Sequence, residues 1–240
     1  MTRPLGEASA WVRLIAGAFL VSAVVFVMVM VINRALIPPL LIQALIAAPL
    51  AYAVLRWHGR RWVLVLSAVA ALLALVGGAP FYMEDLQHPE SGWAFVPSAF
   101  LVVAFVVALL AGIAASLRRS EAPARAITLG AGGLAALLLV VGLVATLGVS
   151  DDAQAEGDTL VVAKQFEFPE TVAVQSGDVG LYIQNKDLVR HTFVIEDAGV
   201  KVELPGSTSR HVSVALQAGT YEFHCDVPGH ESMKGTLEVN

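Results

Sequence analysis

Five long apolar runs fill the first 150 residues of this 240-residue chain, uncharged apart from Arg13 near the start of the first. A helix that crosses a bilayer needs about 20 predominantly apolar residues. The runs predict spanning helices over residues 12–32, 36–55, 62–79, 93–117 and 126–149, so residues 1–149 read as an all-α transmembrane bundle. Pro49 is expected to kink the second span. Gly77, Gly78 and Pro80 are expected to end the third near Ala79. With 57% hydrophobic and 15% charged residues, the chain is too apolar for one soluble globule, and disorder is excluded.

Loop charges predict the orientation. Arg3 and Arg13 precede the first span, Arg56, Arg60 and Arg61 follow the second, and Arg118, Arg119 and Arg125 follow the fourth. With five spans all these segments fall on one side, which is the cytoplasmic one by the bias of positive loops. Only Arg34 and an acidic loop with Glu84, Asp85 and Glu90 fall opposite. The N-terminus is therefore expected inside and the C-terminal part outside. The first run is expected to be retained: it is long for a signal peptide, no small-residue cleavage site follows Ile32, and a lipoprotein signal would need a cysteine there.

The span interiors hold no Asp, Glu, Lys, Arg or His, and Gln43 is their strongest polar group. Ion-coupled pumps rely on buried ionisable groups, and a membrane haem needs axial ligands; His58 and His88 lie at the edges instead. Gly130, Gly132 and Gly133 suit close helix packing. The bundle reads as an anchor in the lipid bilayer. Met83 and His88 are potential metal ligands, but that segment reads as a solvated loop.

At residue 150 the composition changes. Residues 1–150 carry a net charge of +4 and residues 151–240 one of −9, together the −5 of the whole. Residues 150–157, Ser-Asp-Asp-Ala-Gln-Ala-Glu-Gly, read as a short flexible linker. Beyond it come short β-rich runs: Leu160–Phe168, Thr171–Gln175, Gly180–Asn185, His191–Glu196, Arg210–Leu216, Thr220–Cys225 and Gly235–Val239. Turn signals separate them, among them Ser176-Gly177-Asp178, Pro205-Gly206 and Pro228-Gly229. Such spacing predicts a compact all-β sandwich over residues 158–240. No basic stripe suggests nucleic acid as a partner.

The single cysteine, Cys225, excludes an internal disulfide, a four-cysteine zinc site and a cysteine-held iron–sulfur cluster. It lies in Tyr221-Glu-Phe-His-Cys-Asp-Val-Pro-Gly-His-Glu-Ser-Met-Lys-Gly235. Strand alternation points Tyr221, Phe223 and Cys225 to one face and Glu222 and His224 to the other. His224 therefore reads as a solvent histidine, and His211 as structural or exposed. Pro228-Gly229 turns the chain so that His230 and Met233 return toward the sulfur. His191 opens a strand 34 residues upstream and can meet this loop at one end of the sandwich. Two imidazoles, a thiolate and a weak axial thioether make a blue-copper electron-transfer site.

This segment resembles the cupredoxin family of plastocyanin- and azurin-like proteins. Phe166-Glu-Phe-Pro169, Val174-Gln-Ser-Gly-Asp178 and Asn185-Lys-Asp187 with His191 are similar to the family's first strands and first-histidine loop. The resemblance covers about residues 158–240 and implies a Greek-key sandwich. It implies one mononuclear copper, Cu(II)/Cu(I), on His191, Cys225, His230 and Met233. It also implies a carrier without a catalytic site of its own. Many members have Asn directly after the first histidine, where this chain has Thr192. Its backbone N–H can still serve the thiolate, and the side-chain bracing role of Asn is left open. The binuclear copper centre of oxidase subunits needs two cysteines and does not fit.

The expected function is a membrane-anchored carrier of single electrons between redox partners on the extracytoplasmic face. A c-type cytochrome or a membrane oxidoreductase would suit the acidic domain as partner. Copper sensing, storage or delivery through the same site is the alternative. An oxidase is disfavoured, since such a site alone has no open position for substrate.

Overall fold

The computed structural model describes residues 8–34 and 36–240. Arg3, one of the arginines counted for orientation, lies outside them. Among the described residues, five helices are long and apolar enough to cross a membrane: α1 (Ala10–Ile32), α2 (Pro38–Trp57), α3 (Arg61–Gln87), α4 (Gly92–Ser116) and α5 (Ala122–Leu147). The Ser9 hydroxyl caps α1 by accepting from the Val12 amide at 3.3 Å. α2 starts on Pro38 and Pro39, where the first turn has no amide partner to lose.

The helical core is built from Ile15, Phe19 and Phe26 of α1, Val54 of α2, Ala71 of α3 and Phe105, Ala108 and Ala111 of α4. The Phe19 ring meets Phe105 edge-on, with centroids 6.4 Å apart. Leu20, Val24, Leu45, Leu73 and Leu137 face outward, so the helices are apolar all round, as lipid demands of a spanning helix. Buried Ser22 and Ser67 spend their hydroxyls on carbonyls of their own helices, at 2.9 and 2.7 Å.

The third helix corrects the expectation that it would stop near Ala79, since it runs on to Gln87. Pro80 removes one helical donor, but an apolar segment pairs its remaining backbone groups best by staying helical. Gly78 serves packing here: the Tyr82 ring lies over it, where a Cβ would collide. The segment from Met83 is accordingly the last turn of α3, and only His88 lies beyond it, with Nδ1 2.9 Å from Glu90. α2 likewise continues through Pro49.

The C-terminal domain has eight strands among the described residues: β1 (Thr159–Ala163), β2 (Thr171–Val174), β3 (Gly177–Asn185), β4 (His191–Ile195), β5 (Val200–Leu204), β6 (Ser209–Leu216), β7 (Gly219–His224) and β8 (Lys234–Val239). They form two sheets, β1-β3-β6 and β2-β8-β7-β4-β5. β1 runs parallel to β3 and β2 parallel to β8; the other neighbours are antiparallel. This is the expected Greek-key sandwich. Val161, Leu181 and Ile183 of the smaller sheet face Phe193, Ile195, Phe223 and Leu237 of the larger one. Phe168 closes one side, edge-on to Phe193 and Phe223 at 5.7 and 5.5 Å.

Two strand expectations change. The run Leu160–Phe168 leaves β1 at Ala163, because Gln165 and Phe166 take positive φ of 58° and 61° and turn the chain. β5 was absent from the expected set, although its Val-Lys-Val-Glu-Leu alternation is strand-like. The start of the expected linker is hydrogen-bonded to β6. Asp151 and Asp152 carboxylates accept from the amides of Ser209 (2.7 Å) and His211 (3.0 Å), and the Ser150 carbonyl accepts from Arg210 (2.7 Å).

Candidate metal centre

β4 and β7 are neighbours in the larger sheet, with Val194 opposite His224. Continuing that antiparallel register brings the start of β4 beside the chain that leaves β7, so His191 and Cys225 meet at one end of the sandwich. β4 is buried at every position, and His191 is fully inaccessible.

The loop after Cys225 folds back through three backbone bonds. The His230 amide donates to the Val227 carbonyl (3.0 Å), the Met233 amide to the His230 carbonyl (2.8 Å) and the Cys225 amide to the Met233 carbonyl (3.0 Å). Gly229, at φ 89°, makes the turn that a side chain would strain. His230 is thereby placed against the Cys225 sulfur with one side open to solvent.

Three ligand atoms converge. Cys225 Sγ lies 4.0 Å from His191 Nδ1 and 3.6 Å from His230 Nδ1, and the two nitrogens are 3.2 Å apart. A trigonal metal with bonds on the order of 2 Å needs ligand atoms roughly 3.5 Å apart, which this triangle meets. Among the described residues it is the one group of three such side chains that could hold a metal. Met233 is fully buried in the same apolar cluster as Cys225, not on the surface. The His–Cys–His donor set suits copper: imidazole serves both oxidation states and thiolate Cu(II).

The protonation of Cys225 also suits a metal. Burial pushes the Cys225 thiol up, but hydrogen bonds from His191, His230 and the Thr192 and Val227 amides outweigh it and pull the thiol down to about 5. Burial pushes the His191 imidazole down, and contacts with Asp187 and Cys225 outweigh that and raise it. The thiolate that a metal needs is thus the resting form at neutral pH.

Around the triangle stand groups that the sequence reading left without a role. Asp187 accepts from His191 Nε2 at 2.9 Å, and from the Gln165 and Phe166 amides at 2.7 and 3.0 Å. Burial pushes this carboxyl up, and those hydrogen bonds pull it down to about 2. Phe166, presented by its left-handed turn, meets both imidazoles edge-on, 5.7 Å from His191 and 5.1 Å from His230. Asn185 is buried; its amide nitrogen lies within 3.0 Å of the carbonyls of Val189, Leu204 and Pro205, and its oxygen accepts from the Asp187 amide. The signal for Asp187 was its place four residues before His191 in the same loop.

Thr192 does more than its backbone. Its amide lies 3.4 Å and its hydroxyl 3.6 Å from Cys225 Sγ. The hydroxyl donates to the Asp226 carboxylate at 2.7 Å and accepts from the Asp226 amide at 2.8 Å. The Thr192 side chain thus braces the chain after Cys225 through Asp226. The remaining histidines lie elsewhere: His224 is half-buried with Nε2 3.8 Å from Glu196, and His211 Nε2 is 3.3 Å from Asp158.

A family model described as the cupredoxin-like domain matches residues 134–239. Similar solved structures include a reduced mutant of amicyanin with Tyr for Trp, at 18% identity, covering 36% of this chain and 86% of that chain with a TM-score of 0.31. The oxidised state of an amicyanin mutant with Ala for Pro is similar at 22% identity, with the same coverages and a TM-score of 0.30. No curated protein matches the chain. The C-terminal part of this chain thus matches the model of the cupredoxin-like domain, and its His191, Cys225 and His230 form a group that could hold copper.

Proposed function

We propose that the chain is a membrane-anchored blue-copper electron carrier, in which His191, Cys225, His230 and Met233 would hold one copper. The observation that carries this reading is the convergence of Cys225 Sγ and two imidazole Nδ1 atoms where only His230 reaches solvent. Copper supplies a one-electron Cu(II)/Cu(I) couple when bound. The residues do the rest. His191 and Cys225 are fixed by β4 and by the bonds to Asp187 and Thr192, so the ligands need little rearrangement between oxidation states. His230 presents the ligand edge that a partner can approach. Four protein donors leave no position for a substrate, so the chain reads as a carrier and not an oxidase.

The five helices would anchor the domain in the bilayer (residues 1–149, joined by 150–157 to 158–240). The arginine-rich loops would lie in the cytoplasm and the copper domain outside. The acidic domain favours a basic redox partner, such as a c-type cytochrome or a basic face of a membrane oxidoreductase.

The test is copper loading of the full chain in detergent. An intense visible thiolate-to-copper band, absent in Cys225→Ser, is expected; its absence in the wild type sinks the reading. Reversible one-electron reduction with copper retained supports the carrier. Release of Cu(I) to an acceptor protein on reduction would favour copper delivery instead.

A further inference from the structure

A charge network touches the thiolate loop without contributing a ligand. Thr192 follows His191 and Asp226 follows Cys225, and the continued register of β4 and β7 sets the two opposite each other. Their side chains join at 2.7 Å, within reach of the thiolate. The second carboxylate oxygen of Asp226 accepts from Lys201 Nζ on β5, also at 2.7 Å. Lys201 lies opposite Val194 in the β4–β5 register, and Glu203, opposite Thr192, is paired with Arg190. The Lys201 side chain is 55% exposed and that of Asp226 is 37% exposed. Two opposite charges thus stand beside the thiolate loop. One is a single residue from Cys225 along the chain, the other one hydrogen bond further out.

A neutral brace would hold the loop equally well, so charge at this place needs its own account. Cu(II) carries one more positive charge than Cu(I). A nearby carboxylate therefore favours the oxidised state, and a nearby ammonium the reduced one. The Thr192 hydroxyl donates to the Asp226 carboxylate and the Thr192 amide donates to the sulfur, which places the carboxylate where this difference is felt.

We propose that Asp226 and Lys201 are an opposed charge pair that sets the reduction potential of the copper site, Asp226 lowering it and Lys201 raising it. The inference rests on the copper reading above. Both are positioning residues that act through Thr192 and the thiolate, with no contact to copper.

The test is a redox titration of the copper-loaded full chain, followed by its visible band. Lys201→Gln is expected to lower the midpoint and Asp226→Asn to raise it. Each should change the oxidised-to-reduced ratio at fixed potential at least threefold, about 28 mV at 59 mV per tenfold. The double variant should fall between the two, and Lys201→Arg should keep the wild-type midpoint. Lys201→Gln should shift less at high salt, because the side chain is exposed. An intact band with midpoints that do not move, or that move in the same direction, overturns the charge pair and leaves the copper reading standing. A wild type without the band overturns the copper reading itself. If Asp226→Asn fails to load copper, Lys201→Gln decides alone, since that side chain lies on the surface.

Discussion

The Asp187 carboxylate lies 2.9 Å from His191 Nε2, the ring nitrogen opposite the one that faces Cys225. A carboxylate there fixes the ring's orientation and leaves Nδ1 with a free lone pair for the metal. The same carboxylate ties down the turn at Gln165 and Phe166. Removing such a partner costs about 10- to 100-fold in metal affinity. Asp187→Ala should weaken copper binding by that factor in a competition titration with a chelator. An unchanged affinity would mean that Asp187 serves only the loop.

The copper-free protein should show a thiolate at unusually low pH. The Cys225 thiol sits at about 5, against about 8.5 for free cysteine. The folded value is below the unfolded one, so the folded state binds fewer protons between the two. The resulting stabilisation is complete above the unfolded value and is lost as pH falls through about 5. His191 has the opposite sign: its raised value stabilises below its unfolded value and fades as pH rises through the folded one. The thiolate ultraviolet absorbance of the copper-free chain, compared with Cys225→Ser, should therefore appear near pH 5. A midpoint above 8 would contradict the site's geometry.

How much of this was legible beforehand differs by kind of residue. The helices were visible because length and apolarity decide a span. The end of α3 was not, because the glycine that suggests a break is the seat of the Tyr82 ring. The triangle was visible because Cys225 and His230 sit in one loop, strand alternation aims Cys225 inward and His191 opens a strand that can meet them. Phe166 and Lys201 were not, because each reaches the site from another element, and Asp187 was not, because its loop position alone does not turn its carboxylate onto His191. Phe166 looked like the end of a strand. Only the left-handed pair at Gln165 and Phe166 turns its ring onto the imidazoles. Thr192 left the bracing role of Asn open until the register showed Asp226 across from it.

Gly206 tests the packing that supports the His191 loop. A Cβ there would run into the Leu188 carbonyl, backbone that cannot move aside cheaply. Ser207 next to it donates its amide to the Asp187 carbonyl at 2.7 Å. Gly206→Ala should therefore push the loop that carries Asp187 away from its seat. Overpacking of this kind costs about 1–3 kcal/mol. A lower melting temperature of the domain together with weaker copper binding is expected; full copper affinity in the variant would separate this contact from the site.

The Phe166 ring lies against both imidazoles of the site. It is half-buried and meets His191 and His230 edge-on. Each such contact contributes about 0.5–1.5 kcal/mol. Phe166→Ala would remove both and uncover more of the ring of His230. Copper should then be lost to an external chelator about fivefold faster, which corresponds to about 1 kcal/mol in a rate. Reduction by a small soluble reductant should also speed up, since the reductant can approach closer. Phe166→Leu keeps the cover without the edge-on geometry, so it should restore slow chelator loss in part. If Phe166→Ala loses copper no faster than the wild type, the ring neither shields the site nor holds His230, and the edge-on contacts are incidental to the packing of the loop.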